Sequence, residues 1–241
     1  DACLIMTIKN LYPKARPQTI YNVINGRPEL PAASTFSRTS IGTYVDANGI
    51  IRTAGVDEPR FNYDPETGEF LGLLLEGKRE NLKTYSNDFT QEWQKLGASI
   101  LSTNNPDPFG GLTATRLDLP FVNARLQINS TSTRGISTFS VWMRLVSGND
   151  QIALLLQTSA GANSGDTVTV TSEWQRFSTT QNVSSSGGIQ IRNITATPSV
   201  IEVYGAQVEG GSAPSSYIPT TSNSVTREAD QFSLTTSSNF D

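Results

Sequence analysis

The chain has 241 residues, 36% of them hydrophobic and 17% charged, with 19 glycines, 12 prolines and a formal net charge of −4. That length holds one large all-β domain with appendages or two small domains, and the Gly, Pro, Ser and Thr content favours short strands and turns over long helices. The absence of histidine excludes Ser-His-Asp and Cys-His catalysis and histidine metal sites, the single cysteine excludes an intrachain disulfide, and no basic stripe is present for nucleic acid.

Residues 1–31 open with DACLIMTIKN, an apolar patch with no basic region before it and no small-residue cleavage site after it, so it does not read as a signal peptide. No apolar run approaches the ~20 residues of a spanning helix, so no membrane partner is expected. Pro13, Pro17, Pro28 and Pro31 rule out a long helix. Between them stand Tyr12, Ile20, Tyr21, Val23 and Ile24. The segment reads as an extended arm whose apolar side chains lie on a shell subunit or a neighbouring protomer; the other reading is a disordered tail.

Residues 32–95 read as a β-hairpin-rich docking or connector segment. TYVDANGIIRTA is a strand, an Asp-x-Asn-Gly turn and a strand, and RFNYDPETGEFLGLLLEG repeats the plan around Asp64–Gly68. The first turn lacks the later oxygen ligands and the terminal Glu of a calcium loop. ENLKTYSNDFTQEWQKL follows as a short helical or irregular stretch ending at Trp93.

No lysine follows Lys95. This compositional break marks a domain of residues 96–219, with nine short alternating strands expected between 96 and 208. Their number and spacing predict a two-sheet sandwich with Phe139, Val141, Met143, Leu154 and Val203 in its core. Residues 220–241 read as a polar C-terminal tail.

STFSVWMRL puts Trp142 and Arg144 on one face of a strand, and SEWQRFS does the same for Trp174 and Arg176. Such a pair serves as a sugar-stacking platform, as a subunit contact, or as ordinary packing with the arginine capping the sheet. Glu69, Glu76, Glu80 and Glu92 show no marked pairing of the kind a glycosidase needs, and no enzyme, cofactor or metal site is expected. The three Asn-x-Ser/Thr matches at Asn129, Asn182 and Asn193 read as chance in a chain so rich in Ser and Thr.

YPKARP at 12–17, FSRTSIGTYVDANGIIRTA at 36–54, PRFNYDPETGEFLGLLLEGKRENL at 59–82 and YGAQVEGGSAPSSYIPTTSNSVTREAD at 204–230 resemble tailed-bacteriophage structural proteins of the head spike, head fibre or tail fibre type. The region between them resembles jelly-roll carbohydrate-binding modules. The resemblance implies an all-β virion component on the outer surface of the particle, its jelly roll displayed as a homotrimer. The chain is short and lacks a repetitive shaft, which favours a capsid decoration protein bound to the major capsid protein or another virion protein. The alternative is a tail-associated receptor binder for a host surface glycan.

Overall fold

The computed structural model describes residues 4–5, 22–24, 27–32, 34–159, 162–183 and 187–234. Every regular element among them is a strand, as the composition predicts. The chain divides into two units, one of Cys3–Lys78 with Arg227–Asp241 and the other built on Arg79–Thr226. The compositional break at residue 96 and the structural division therefore differ: Arg79–Lys95 belong with the second unit.

In the first unit, β1 (Leu4–Ile5), β7 (Phe61–Tyr63) and β8 (Phe70–Leu75) form one sheet, and β2 (Asn22–Ile24) pairs with β3 (Arg27–Glu29). The strand β4 (Ser34–Ser37) pairs with the last strand of the chain, Gln231–Leu234, and β5 (Gly42–Val45) with β6 (Ile51–Ala54). Both hairpin turns form where Asp-containing turns are expected. Asp46 Oδ1 accepts the N–H groups of Asn48 and Ile50 at 2.9 and 3.0 Å, and Gly49 takes the positive φ of 74° that closes the turn. Asp64 Oδ1 does the same for Glu66 and Thr67 at 2.9 and 2.8 Å.

An ionic cluster fills the middle of this unit. Asp230 Oδ1 meets Arg38 at 3.0 Å and its Oδ2 meets Arg60 at 2.5 Å, while Glu76 meets Arg60 at 2.8 Å and Arg227 at 3.6 Å. All five side chains are between 0 and 2% exposed. Arg38 also donates to the carbonyls of Ser40, Gly55 and Glu58. Charges this deep persist only when paired and hydrogen-bonded, and here the pairing joins residues 38–76 to residues 227–230.

The second unit contains β9 (Arg79–Asn81), β10 (Gln94–Leu96), β11 (Ser99–Asn105), β12 (Ala114–Leu119), β13 (Arg125–Ile128) and β14 (Gly135–Gly148). It continues with β15 (Gln151–Ser159), β16 (Ala162–Thr169), β17 (Gln175–Val183), β18 (Ile189–Asn193), β19 (Ser199–Gly210) and β20 (Val225–Arg227), the last forming a ribbon with β9. Two five-stranded antiparallel sheets run β10-β13-β18-β15-β16 and β11-β12-β19-β14-β17. From β12 to β19 the chain places its strands in the orders β13-β18-β15-β16 and β12-β19-β14-β17, which is the double Greek key of a jelly roll.

Side-chain alternation explains which face each sheet buries. Phe139, Val141, Met143, Leu154 and Val203, the residues expected in the core, are all fully buried there, with Leu117, Leu126, Ile191 and Ile201 among their neighbours. Gly205 sits at a bulge in β19 with φ of 63°, and the β14–β19 register shifts there. The extra residue lets Val203 and Ala206 both face the core, while Glu202, Tyr204, Gln207 and Glu209 lie on the opposite face.

Candidate binding faces of the jelly roll

Two sheet faces point away from the core. On the β11-β12-β19-β14-β17 sheet, the tryptophans and arginines singled out from the sequence do come together, with exchanged partners. Trp142 lies opposite Arg176 on adjacent strands, and the Arg176 guanidinium sits 4.3 Å from the Trp142 ring centroid. Arg144 instead stacks over Trp174 at 5.1 Å. Spacing along one strand proposes the pairs two residues apart; the antiparallel β14–β17 register makes the cross-strand pairs.

Trp142 is only 9% exposed. Tyr217 and Tyr204 meet its ring edge-on at 5.3 and 6.4 Å, and Phe109 packs on both tyrosines. Arg176 donates to Ser215 O at 2.5 Å and to Ser140 Oγ at 3.0 Å. The segment around Tyr217 is fastened over this face: Ile218 N–H donates to Gln207 Oε1 at 2.7 Å, and Ser215 N–H to Glu209 Oε1 at 2.9 Å. Asn81 adds a link from the other side, donating to Ile218 O at 2.8 Å and accepting from Val208 N–H at 3.0 Å. Burial, with the Asp107 charge behind it, pushes the Tyr204 phenol up to about 12, and burial raises Tyr217 too. The chain's own residues thus cover the Trp142 ring.

Arg144 and Trp174 lie nearer the rim. Arg144 Nε meets Glu202 Oε2 at 2.5 Å, and Arg116 takes the other carboxylate oxygen at 2.6 Å. Both arginines are committed to a fully buried glutamate. Trp174 is half-buried, and its Nε1 has no acceptor. Of the arm residues, Tyr12, Ile20 and Tyr21 lie outside the described residues, while Val23 and Ile24 fall in β2, paired with Pro28 and Arg27.

The outer face of the β10-β13-β18-β15-β16 sheet is of another kind, and the sequence reading did not single it out. Arg125 pairs with Arg192 and Gln127 with Gln190, and these rows continue onto Ala153 and Leu155 of β15. Alternation puts all six on the side away from the core leucines and isoleucines. Ala153 and Leu155, 3 and 7% exposed, and then Gly165 of β16 make a floor lying beneath the polar side chains. Gln190 reaches across it to Asn163 Oδ1 at 3.2 Å, Arg125 Nε donates to Gln127 Oε1 at 2.9 Å, and Gln127 donates to Asn129. Beyond the end of β10, the Phe121 ring lies over Gly97, where any Cβ would fall 2.5 Å from it; Gly97 bridges to Arg125. Phe121 is 52% exposed. The signal in the sequence is a mirrored pair of triplets, RLQ at 125–127 and QIR at 190–192, which antiparallel pairing brings like beside like.

Among the described residues no group of three Cys, Asp or Glu side chains is placed to hold a metal ion, and no helix is long and apolar enough to cross a membrane. The architecture is therefore a jelly-roll sandwich with one outer face closed by its own chain and the other carrying an array of amides and guanidiniums. No family model matches the chain, and no curated protein matches it.

Among solved structures the chain is similar to a family 29 carbohydrate-binding module, at 11% identity over 56% of this chain and 88% of that one, with a TM-score of 0.40. A variant family 29 module solved with mannohexaose matches at 14% identity over 51% of this chain and 83% of that one, TM-score 0.37. A family 11 module from Clostridium thermocellum, in complex with a β-1,3-1,4-mixed-linked tetrasaccharide, matches at 10% identity over 58% and 99%, TM-score 0.40. Likeness at this level assigns neither ligand nor binding residue to this chain.

Proposed function

We propose that the protein is a non-catalytic structural component of a tailed-phage particle whose jelly roll binds glycan on the outer face of the β10-β13-β18-β15-β16 sheet. The observation that carries the glycan reading is that polar array of Gln127, Gln190, Asn163 and two arginines on one sheet face, with the exposed Phe121 ring over Gly97, which bridges to Arg125. Amides offer both donors and acceptors to vicinal hydroxyls, and an aromatic face takes the apolar side of a sugar ring. Few convergent polar groups beside a flat apolar surface are what orient a small ligand.

The virion setting rests on the resemblance of residues 12–17, 36–54, 59–82 and 204–230 to phage structural proteins. It favours capsid decoration, with the major capsid protein as partner and the arm of residues 1–31 as the docking element, over a tail-associated receptor binder. A homotrimer is expected, so light scattering at micromolar concentration should give three times the chain mass. Immunogold labelling of intact particles separates the two placements: regular labelling over the head supports decoration, and a few copies at the tail support the receptor binder.

The glycan reading is tested on an array of bacterial surface polysaccharides probed with the full chain. Saturable binding that is lost in Gln127→Ala and Gln190→Ala and kept in Trp174→Ala supports it. Absence of binding across the array, or binding lost only in Trp174→Ala, refutes it.

A further inference from the structure

The outer face of the β10-β13-β18-β15-β16 sheet carries charge of one sign. Register puts on it the even-numbered residues of β10 and β18, and the odd-numbered residues of β13, of β15 up to Gln157 and of β16 from Asn163. None of these is Asp or Glu, although the whole chain has 22 acidic residues against 18 basic ones. The two charged residues on the face are Arg125 and Arg192, which are direct cross-strand partners. Like charges placed opposite each other work against strand pairing, so the pair is not explained by the fold.

The two guanidiniums also lack the carboxylate partners that three other arginines of this unit have. Arg116 and Arg144 share Glu202, and Arg79 meets Glu209. Arg125 spends its hydrogen bonds on Gln127 Oε1 and on Asn123 O at 3.1 Å, with no carboxylate. The Arg192 side chain has no hydrogen bond or ion pair among the described residues, and its Nε is buried. Burial and the neighbouring Arg125 charge both disfavour the charged form of Arg192. Two residues away on the same strand, Gln190 is 5% exposed and its Oε1 is buried without a donor. A buried donor lacking an acceptor and a buried acceptor lacking a donor, side by side, describe the complement of a ligand.

That complement is an anionic group next to a hydroxyl. A planar anion takes two parallel N–H bonds from a guanidinium, and two guanidiniums side by side become favourable once an anion lies between them. Building on the glycan reading above, we infer that this face selects acidic glycans: Arg125 and Arg192 receive the anionic group of a sugar residue, and Gln190 Oε1 accepts a hydroxyl proton from the same or the adjacent residue. Neutral glycans would leave the arginine pair uncompensated.

The test uses the full chain on printed acidic and neutral bacterial polysaccharides. Each acidic glycan is paired with its carboxyl-reduced or desulfated form. The expected result is that hits are acidic, that removing the charge lowers affinity at least tenfold, and that Arg125→Gln and Arg192→Gln each lower it to a similar extent. The arm of the pair that loses binding identifies carboxylate or sulfate as the anion. Neutral hits that ignore both arginine variants overturn the inference and leave glycan binding standing; no hits at all overturn both. Melting of the unliganded variants supplies a second check. Glutamine fits a face already built of amides, so Arg192→Gln should melt at or above the parent temperature. A marked fall would show that Arg192 holds the sheet together and would overturn the inference.

Discussion

Replacing Asp230 with alanine should unfasten the unit formed by Cys3–Lys78 and Arg227–Asp241. The carboxylate is fully buried; its two oxygens hold Arg38 at 3.0 Å and Arg60 at 2.5 Å, and Oδ2 also accepts the Glu76 N–H at 2.8 Å. Without it, Arg38 keeps backbone carbonyls and the Phe36 ring but no carboxylate, and Arg60 and Arg227 both turn to Glu76. Removing one partner of a buried ion pair costs about 3–5 kcal/mol, because the charge left behind is uncompensated. At about 1.4 kcal/mol per tenfold, local opening becomes roughly a hundredfold to several thousandfold more frequent.

Hydrogen exchange read by mass spectrometry resolves this by segment. Peptides covering Gly42–Ala54 and Phe61–Leu75 should lose protection by that factor. Glu228→Ala is the control. Its pairing with Lys78, at 3.0 Å, joins side chains that are 39 and 63% exposed, and such pairs contribute about 0–1 kcal/mol. Raising the salt should erase what little the control loses and leave the Asp230 effect intact. Protection in Asp230→Ala within about fivefold of the parent would mean that the cluster is dispensable and that the reasoning from buried charge is wrong.

Three further outcomes follow from the jelly-roll unit. Trp142→Ala should lower stability by about 3–5 kcal/mol in urea unfolding, as for other large-to-small core changes, while leaving glycan affinity unaltered. Gly205→Ala should destabilise by about 1–3 kcal/mol, since a non-glycine residue is strained at positive φ and the new Cβ would fall 2.9 Å from Trp142 Cε3. Alkali should unfold the protein through Tyr204 and Tyr217. Their folded-state values are raised, so above the ordinary phenol value of about 10 the unfolded state loses protons that the folded state keeps, and stability falls as pH rises. Phenolate absorbance and circular dichroism should then change together, and Tyr217→Phe should flatten the decline above pH ~10.

The jelly-roll unit was legible where alternation is strict. Phe139, Val141 and Met143 lie on one side of β14, and nine short strands were expected between residues 96 and 208, where β11 to β19 now lie. What alternation cannot supply is the partner across the sheet. Trp142 and Arg144 share a face, yet the contacts that matter are Trp142 with Arg176 and Arg144 with Trp174, set by the β14–β17 register. Arg125–Gln127 and Gln190–Arg192 were unremarkable apart, because each triplet alone is a strand with two polar residues facing water. The link from Asp230 to Arg38 and Arg60 was equally hidden: the last residues read as a polar tail, but a carboxylate in a polar segment gives no sign that its counter-charges lie early in the chain.

The two outer faces of the sandwich show how residue type and exposure diverge. In the sequence the tryptophan–arginine pairs read as a sugar platform, a subunit contact or ordinary packing, and the fold uses the Trp142 ring to anchor the chain as it leaves β19. Bulk is useful there because Tyr217 and Phe109 add further apolar area to bury, and a covered ring contributes stability. On the opposite face the floor residues are small or flat, Ala153, Leu155 and Gly165, and the side chains around them are polar. A face with little bulk to bury has no reason to attract a covering segment of its own chain, and its amides and guanidiniums lose least when they stay near water. No segment of the chain is fastened over this face as Tyr217 is over the other, yet Ala153, Leu155 and Gln190 are 3, 7 and 5% exposed beneath the side chains around them, and the uncompensated arginine pair is the point at which its chemistry exceeds what folding requires.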